Sequence, residues 1–508
     1  MVPPMLATVH AASLTGLESI PVEVQAFFGR GLPGVDIVGL PELAVRESRV
    51  RVQSALESSG LTLPSKHVVL NLAPADVRKA GSALDLPIAL ALLCAAGAAI
   101  PTRLMEILAL GELSLSGELR PVRGMLSHLR AARQRGFRSA VVPRGNAHEA
   151  ALVPDLDVRC AENLRDVVEY LSGVSDLPRA QVREDDVLQA FEPDLSEVRG
   201  QQAAKRALEV SAAGSHNLLM LGPPGTGKTM LARRLGSILP APTDAEALEI
   251  ATIASAAGAC PPARLSAVRR PFRSPHHSAS QAALIGGGTP IRAGEVTLAH
   301  GGVLFLDELP EFARSTLEAL RPTMESGQAV VVRAHERVVW PADPLVVAAM
   351  NPCPCGYEGE SRRVCTCSSD RVERYRARIS GPLLDRFDIH IALKPVEARM
   401  LREGERGESS AEVRRRVETA RSRARARGLR ESLEDVARTA TSDALGLLDS
   451  AIDALGLSVR AYVKALKVSR TIADLAEHDR IEVEHVSEAV QYRLLDRARS
   501  SNAHRAFA

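Results

Sequence analysis

Two short stretches of this chain carry residue types that act on phosphates. Residues 222–229 read GPPGTGKT, and residues 303–308 read VLFLDE. A Gly-rich turn that ends in Lys-Thr and opens a helix points successive backbone N–H groups inward, and the helix N-terminus adds positive potential. Gly222, Pro223, Pro224, Gly225, Thr226 and Gly227 form that predicted cradle. Lys228 reaches the outer phosphates, Thr229 offers its hydroxyl to magnesium, and Met230 completes the nucleotide contacts. Asp307 then faces the metal and Glu308 the attacking water. The expected substrate is ATP with Mg2+, and the expected reaction is its hydrolysis.

A second cluster has metal-ligand chemistry. Of seven cysteines, Cys353, Cys355, Cys365 and Cys367 form two C-x-C pairs, with Gly356 and Gly359 allowing tight turns between them. Four thiolates can surround a tetrahedral Zn2+ and lock a loop that lacks its own apolar core. The C-x-C spacing is unusual beside the commoner C-x2-C, and reduced thiols or two redox-sensitive bonds are the alternatives. The other cysteines, Cys94, Cys160 and Cys260, are scattered, which fits a reducing cytoplasm better than a disulfide framework.

These groups need elements to hold them. Asn217 to Leu221 reads as a short buried strand feeding the Gly-rich turn, and VLFL as a strand buried on both faces. A chain of 508 residues is too long for one ordinary core. Residues 1–172 mix strands (VEVQAFF, HVVLNLA, SAVVP) with helical stretches at Glu42 to Ser59 and Met125 to Gly136, a self-contained α/β region. Residues 173–193, with two prolines and a Glu-Asp-Asp run, read as a linker. Residues 194–395 alternate strands and helices as a covered parallel sheet does, with a Cys-rich insertion at about 352–380. Residues 396–508 are helical by periodicity and suit a separate bundle.

Composition narrows the partners. Aromatic residues make up 3%, which disfavours recognition built mainly on stacked bases, and a net charge of +2 leaves nucleic-acid affinity to local basic patches. The N-terminus lacks a signal-peptide pattern, and the uncharged run Leu86 to Thr102 is short for a membrane span, so it is expected to be a buried helix.

The order of motifs resembles that of AAA+ ATPases. In DLSEVRGQ (194–201), Val198, Gly200 and Gln201 match the family's adenine-side segment. LVVAAM (345–350) ends in Asn351, at the position of a residue (sensor 1) that bonds the γ-phosphate or orients water. GPLLDRFD (381–388) resembles the arginine-finger segment, which implies that Arg386 stabilises charge on ATP held by a neighbouring subunit. Residues 457–475 resemble the lid helix that carries sensor 2, with Arg460 the first candidate and Arg470 the second. An arginine acting in trans implies a ring, expected to be a homo-hexamer.

RRPFRSPHHSASQAALIGGG (269–288), GEVTLAHGGVLFLDELPEF (294–312) and NPCPCGYEG (351–359) resemble the magnesium-chelatase-like AAA+ ATPases of the ComM/YifB family, and the resemblance extends over essentially the whole chain. It implies a cytoplasmic motor on single-stranded or branched DNA, a helicase driving branch migration in homologous recombination and natural transformation, with recombination proteins as partners. Residues 70–93 and 111–137 resemble the Lon-protease-type (ribosomal S5 domain 2-like) α/β fold. That likeness places Ala83 and Leu126 where a protease would carry its serine and lysine, with Ser82 and Lys79 nearby, so a structural role is expected there.

Two stretches are candidates for DNA contact: the Gly-rich insertion 284–302, with Arg292, and a predicted hairpin at 328–340 with Arg333, His335 and Arg337 near its tip. Phosphate contacts by these groups would be salt-sensitive and largely sequence-independent. A third basic feature is the run Arg414, Arg415, Arg416, Arg421, Arg423, Arg425, Arg427 and Arg430, which reads equally as a binding surface or a solvated helix face. The competing function is a magnesium-chelatase-type or chaperone-like remodeller of a protein partner. The front region and the cysteine insertion are expected to separate the chain from the chelatase subunit.

Overall fold

The computed structural model describes residues 6–29, 31–79, 81–97, 104, 106–181, 193–333, 336–360, 363–396, 398–403, 406–428, 432–455 and 458–493. Two compact units emerge: Met1–Gln189 with Thr243–Arg269, and Ala190–Pro242 with Arg270–Ala508.

The first unit is a seven-stranded sheet in the order Gly34–Val38, His67–Ala73, Glu18–Gly29, Leu6–Thr15, Ile107–Ala109, Ser139–Pro143, Asp157–Ala161. Glu18–Gly29 buries Val22, Val24, Ala26 and Phe28 and exposes the residues Glu23 and Gln25 to different degrees between them, the period-2 pattern of a strand with one covered face. Glu18–Gly29 pairs antiparallel with both neighbours, whereas the three strands beyond Leu6–Thr15 run parallel to Leu6–Thr15. The apolar run at 86–102 begins as the helix Asp85–Ala95, buried all round as expected; residues 98–103 lie outside the described residues.

Sequence order alone puts Thr243–Arg269 in the nucleotide region, yet this segment folds with the first unit. Its helix Asp244–Ala257 starts with a Thr243/Glu246 capping box and packs on helix Met125–Gln134. Ala247, Ala251 and Val268 share a core with Leu126 and Leu129. Polar contacts fix the same junction. The Ser255 hydroxyl and the Leu126 N–H donate to the buried Glu149 carboxylate, Gly124 N–H donates to Ser255 O at 2.9 Å, and Arg130 to Thr252 Oγ1 at 3.0 Å. The predicted linker also begins later than its composition suggests: Leu177 is buried, and Pro178 and Ala180 bond to Cys160 and Val158 of the edge strand. Residues 182–192 of that stretch lie outside the described residues.

In the second unit five parallel strands lie in the order Phe272–Arg273, Val303–Leu306, Leu345–Met350, Leu218–Leu221, Ile389–Ala392. The three central strands are wholly buried, which explains their unbroken Leu/Val/Ala/Met/Phe composition. Parallel strands deliver all their following loops to one edge of the sheet. Two hairpins stand apart from this sheet, Gly286–Gly287 with Arg292–Ala293 and Gln328–Arg333 with Glu336–Pro341.

The C-terminal helices are less separate than their periodicity suggests. Helix Ser410–Arg427 inserts Val413, Val417 and Ala420 into the core beneath the parallel sheet, and Val468 and Ile472 of helix Val459–Leu475 join it. A smaller core of Val436, Leu448, Leu466, Ile481 and Val486 holds the remaining helices together. Among the described residues no helix is long and apolar enough to cross a membrane.

Candidate active site

The Gly-rich turn leaves strand Leu218–Leu221 and enters helix Lys228–Ile238 through Gly227, with Gly225 and Gly227 at φ +79° and +89°, where a side chain would be strained. No atom occupies the space where either glycine would carry a Cβ, so the backbone there is open to a phosphate. Lys228 is buried and donates to Gly222 O at 2.6 Å, Pro223 O at 2.9 Å and Asn351 Oδ1 at 3.1 Å. Burial lowers the pKa of its ammonium, and the charges of Asp307 and Glu308 oppose that shift.

Thr229 Oγ1 donates to Asp307 Oδ2 at 2.7 Å, which brings together the two groups predicted to hold magnesium. Asp307 Oδ1 accepts from the N–H of Glu308 at 2.9 Å, and Glu308 takes a left-handed backbone, φ +53°, costly for a residue with a side chain. The residues fit Mg2+ with a triphosphate: a hydroxyl, a carboxylate and an open cradle converge. The ion, when bound, neutralises charge on the phosphates; Thr229 and Asp307 would hold it. Glu308 remains half-exposed, and its Oε2 lies 3.3 Å from His277 Nδ1. His277 is absent from the sequence reading of the site, although the His-His pair stood within one of its most distinctive stretches.

On the adenine side, Val198 is buried, and Gly200 lies against Val396 and Met400. Gln201, at φ +54°, donates to Thr226 O at 3.2 Å and Lys394 O at 2.8 Å, tying this segment to the cradle. Met230 is half-exposed beside it.

The predicted arginine finger and the two sensor 2 candidates occupy a different set of contacts. Arg386 pairs with Glu325 and has a buried Nε without a partner, and its pKa is lowered by burial and then by the nearby charges of Arg460 and Arg321. Arg460 is largely exposed and reaches Asp385 at 4.0 Å. Arg470, by contrast, is buried and bonds Asp474 and the carbonyls of His478 and Asp479, holding together the end of its own helix. Its contacts are those of a structural residue, which leaves Arg460 as the sensor 2 candidate.

The two candidate DNA elements lie side by side. Gly286 faces Val331, and Gly287 faces the Arg333 guanidinium. Arg292, Arg333 and Arg337 are exposed, while His335 lies outside the described residues. The outer face of the hairpin also exposes Val330, Val332 and Val339. The basic run of the C-terminal region resolves differently. Arg414 donates to Ser237 O and Arg421 to Ala212 O, carbonyls in the last turns of helices Lys228–Ile238 and Gln202–Gly214. Arg416, Arg423 and Arg427 pair with Glu209 and Glu408, Asp479, and Asp474. These arginines satisfy helix ends and carboxylates; Arg430 lies outside the described residues.

The four cysteine sulfurs all lie within 4.8 Å of one another, with Cys353 to Cys355, Cys365 to Cys355 and Cys353 to Cys365 at 3.3, 3.5 and 3.6 Å. Tetrahedral zinc–thiolate bonds of about 2.3 Å imply S···S separations of about 3.8 Å, close to this spacing. Backbone N–H groups of Gly356 and Glu358 face Cys353, and those of Tyr357 and Thr366 face Cys355, as ligating thiolates require. The donor set therefore fits zinc. The cysteine loop also touches the phosphate cradle: a Cβ on Gly356 would stand 2.6 Å from Pro224 Cδ.

In the first unit, Ala83 and Leu126 are buried in an apolar core. The Ser82 hydroxyl bonds Glu112 and the Lys79 ammonium bonds Pro74 O, so neither activates the other.

An all-parallel sheet that brings this cradle, Lys228, Asp307 and Asn351 to one edge defines a nucleotide-binding domain of the AAA+ ATPase type. Residues 194–401 match the family described as magnesium chelatase, subunit ChlI; residues 22–146 match subunit ChlI of Mg-chelatase; residues 407–493 match the subunit's C-terminal region. The chain is 44% identical to YifB, an uncharacterized protein of Escherichia coli (strain K12), and 43% identical to competence protein ComM of Haemophilus influenzae, each over 97% of this chain and 98% of the relative. An uncharacterized protein of Mycobacterium tuberculosis is 39% identical over 96% of this chain and 98% of its own length. The chain belongs to the ComM/YifB family of magnesium-chelatase-like proteins. Its front region, expected to set it apart from the chelatase subunit, itself matches a chelatase-subunit model and so does not separate the two readings.

Proposed function

We propose that this protein is an ATP-hydrolysing motor that moves on single-stranded or branched DNA, a helicase that drives branch migration during homologous recombination and natural transformation. The observation that carries the reading is the pair of adjoining hairpins with exposed Arg292, Arg333 and Arg337, built into the same unit as the nucleotide site. Likeness to a protein named for competence supports the pathway. In this reading the chain works as a cytoplasmic homo-hexamer. Arg386 leaves Glu325 to meet the neighbour's ATP, with Arg460 beside it, and a Lon-like front domain serves assembly. Zinc held by Cys353, Cys355, Cys365 and Cys367 fixes the loop beside the cradle.

ATPase rates with and without single-stranded or forked DNA, followed by branch migration of a synthetic junction, test the reading. DNA stimulation and ATP-dependent migration by the wild type, lost in Glu308→Gln, are expected. The three chelatase-subunit matches favour one second reading, a remodeller of a protein partner. A hexameric preparation whose ATPase ignores every DNA would select it.

A further inference from the structure

Asn217 stands directly before strand Leu218–Leu221, at the end away from the phosphate cradle. Its N–H donates to Asp388 Oδ2 at 2.9 Å, and its carbonyl accepts from the N–H groups of Asp388 and Ile389 at 2.8 and 3.1 Å. Its side chain makes two further bonds: Oδ1 accepts from the Val346 N–H at 2.9 Å, and Nδ2 donates to the Arg386 carbonyl at 3.1 Å. An amide has one accepting and one donating end, so both partners are met in a single orientation. Val346 belongs to strand Leu345–Met350, which leads to Asn351 and its bond with Lys228. Asn217 thus ties Arg386 to the origins of the two strands whose far ends deliver the cradle and Asn351.

Strand Ile389–Ala392 runs parallel to Leu218–Leu221, with Leu218 opposite Ile389, so Arg386 lies at the edge where the strands begin. The cradle lies at the other edge, roughly 13 Å of strand away at about 3.3 Å per residue. This separation keeps the guanidinium from the nucleotide of its own chain. Its flanks are gripped as well: Lys464 holds the second Asp388 oxygen at 2.9 Å, and Arg493 donates to Phe387 O at 2.8 Å. We propose that Asn217 is a positioning residue for Arg386, fixing the backbone from which the guanidinium reaches the neighbouring subunit's ATP. A displacement of about 1 Å at that root can cost on the order of 100-fold in rate. Because the same amide bonds Val346, movement of either strand on nucleotide binding shifts the arginine lent to the neighbour. The inference rests on the reading of Arg386 as an arginine that acts on the neighbour's nucleotide.

Aspartate at 217 keeps an oxygen for the Val346 N–H but turns another oxygen on the Arg386 carbonyl. Alanine removes both side-chain bonds. Nucleotide affinity, kcat for ATP and thermal melts are measured for full-length Asn217→Asp, Asn217→Ala, Arg386→Ala and the double variant Asn217→Asp with Arg386→Ala, using radiolabelled ATP to follow residual turnover. Arg386→Ala should lose about 100-fold or more in kcat. Each Asn217 variant should lose about tenfold or more with nucleotide affinity unchanged, whereas Asn217→Asp should cost less than about twofold once Arg386 is absent. Full kcat in the Asn217 variants, affinity falling together with kcat, an equal loss in the Arg386→Ala background, or loss of the folded unit in both Asn217 variants would each overturn the proposal. Those results beside a crippled Arg386→Ala remove Asn217 alone; an Arg386→Ala variant that hydrolyses ATP as the wild type does removes the underlying reading as well.

Discussion

Thr229 and Asp307, 78 positions apart, are joined by a 2.7 Å hydrogen bond although strand Leu345–Met350 lies between the strands that lead to them. The helix after the cradle reaches across that intervening strand, and Asn351 at its end meets Lys228 at 3.1 Å. Hydroxyl, carboxylate, ammonium and amide thus form one group at the edge of the sheet, the kind of fixed polar arrangement that stabilises charge on a phosphate.

This arrangement separates binding from turnover. Asp307→Asn should retain weak nucleotide binding but lose its dependence on Mg2+, and ATP hydrolysis should fall by about 100-fold or more. Titration of a fluorescent nucleotide with and without Mg2+ reads the first effect; an unchanged Mg2+ dependence in the variant would refute it.

The cradle and the strands were legible because glycine punctuation and buried apolar runs are local signals. GPPGTGKT, VLFLDE and LVVAAM each name their own element. The placement of Thr243–Arg269 was hidden for the opposite reason: it is decided by Ser255 and Ala251 meeting Glu149 and Leu129, partners more than a hundred positions away. The Arg414–Arg427 run stayed open for a similar reason, since guanidiniums that close helix ends, as Arg414 and Arg421 do, look in sequence like guanidiniums that wait for a phosphate. His277 is a contact between two loops, and no spacing rule announces it.

Ser255 is one of the donors that keep the buried Glu149 carboxylate satisfied where helix Asp244–Ala257 meets its unit. Ser255→Ala should destabilise that unit by about 1–3 kcal/mol, the usual cost of stripping a partner from a buried polar group. A surface control such as Ser450→Ala should not; equal thermal transitions for both variants would show that the junction does not depend on this bond.

The buried His128 responds to pH. Burial, and secondly the charge of Arg135, lower its pKa from 6.5 to about 4, while Ser19 bonds its Nδ1 at 2.8 Å. The native state thus refuses a proton that the unfolded chain accepts below pH 6.5. The associated stability is complete above that value and drains away as pH falls towards 4. Replacing the ring by the non-titrating His128→Gln should cost stability at pH 7.5, and the gap to the wild type should narrow on acidification. A gap that stays constant from pH 7.5 to 4.5 in thermal melts would contradict this.

Arginines of the two kinds should separate experimentally. Arg421→Ala removes a donor from Ala212 O and should lower thermal stability while leaving the salt dependence of DNA binding as in the wild type. Arg333→Ala with Arg337→Ala should do the reverse, leaving the melt intact and flattening the salt dependence, because each lost phosphate contact releases fewer counterions. DNA affinity in the double variant equal to that of the wild type across a salt series would remove the hairpin from the binding surface.

The cysteine loop ties metal to nucleotide. It begins two residues after Asn351, and Gly356, at φ +87°, lies so close to Pro224 that no side chain fits between them. Four sulfurs within 4.8 Å of one another match the span of a tetrahedral zinc–thiolate site. The purified protein should therefore carry about one zinc per chain, and Cys365→Ser should lose it. Removing the metal should expose four additional titratable thiols and release the loop from the cradle, so KM for ATP rises while the first unit's melting transition is unchanged. Gly356→Ala tests the same contact without touching the metal: it should retain zinc yet weaken ATP binding, because its methyl group must displace Pro224. Zinc-free protein with full nucleotide affinity would break the link, and a Gly356→Ala variant that binds ATP as the wild type does would show that the loop only rests against the cradle.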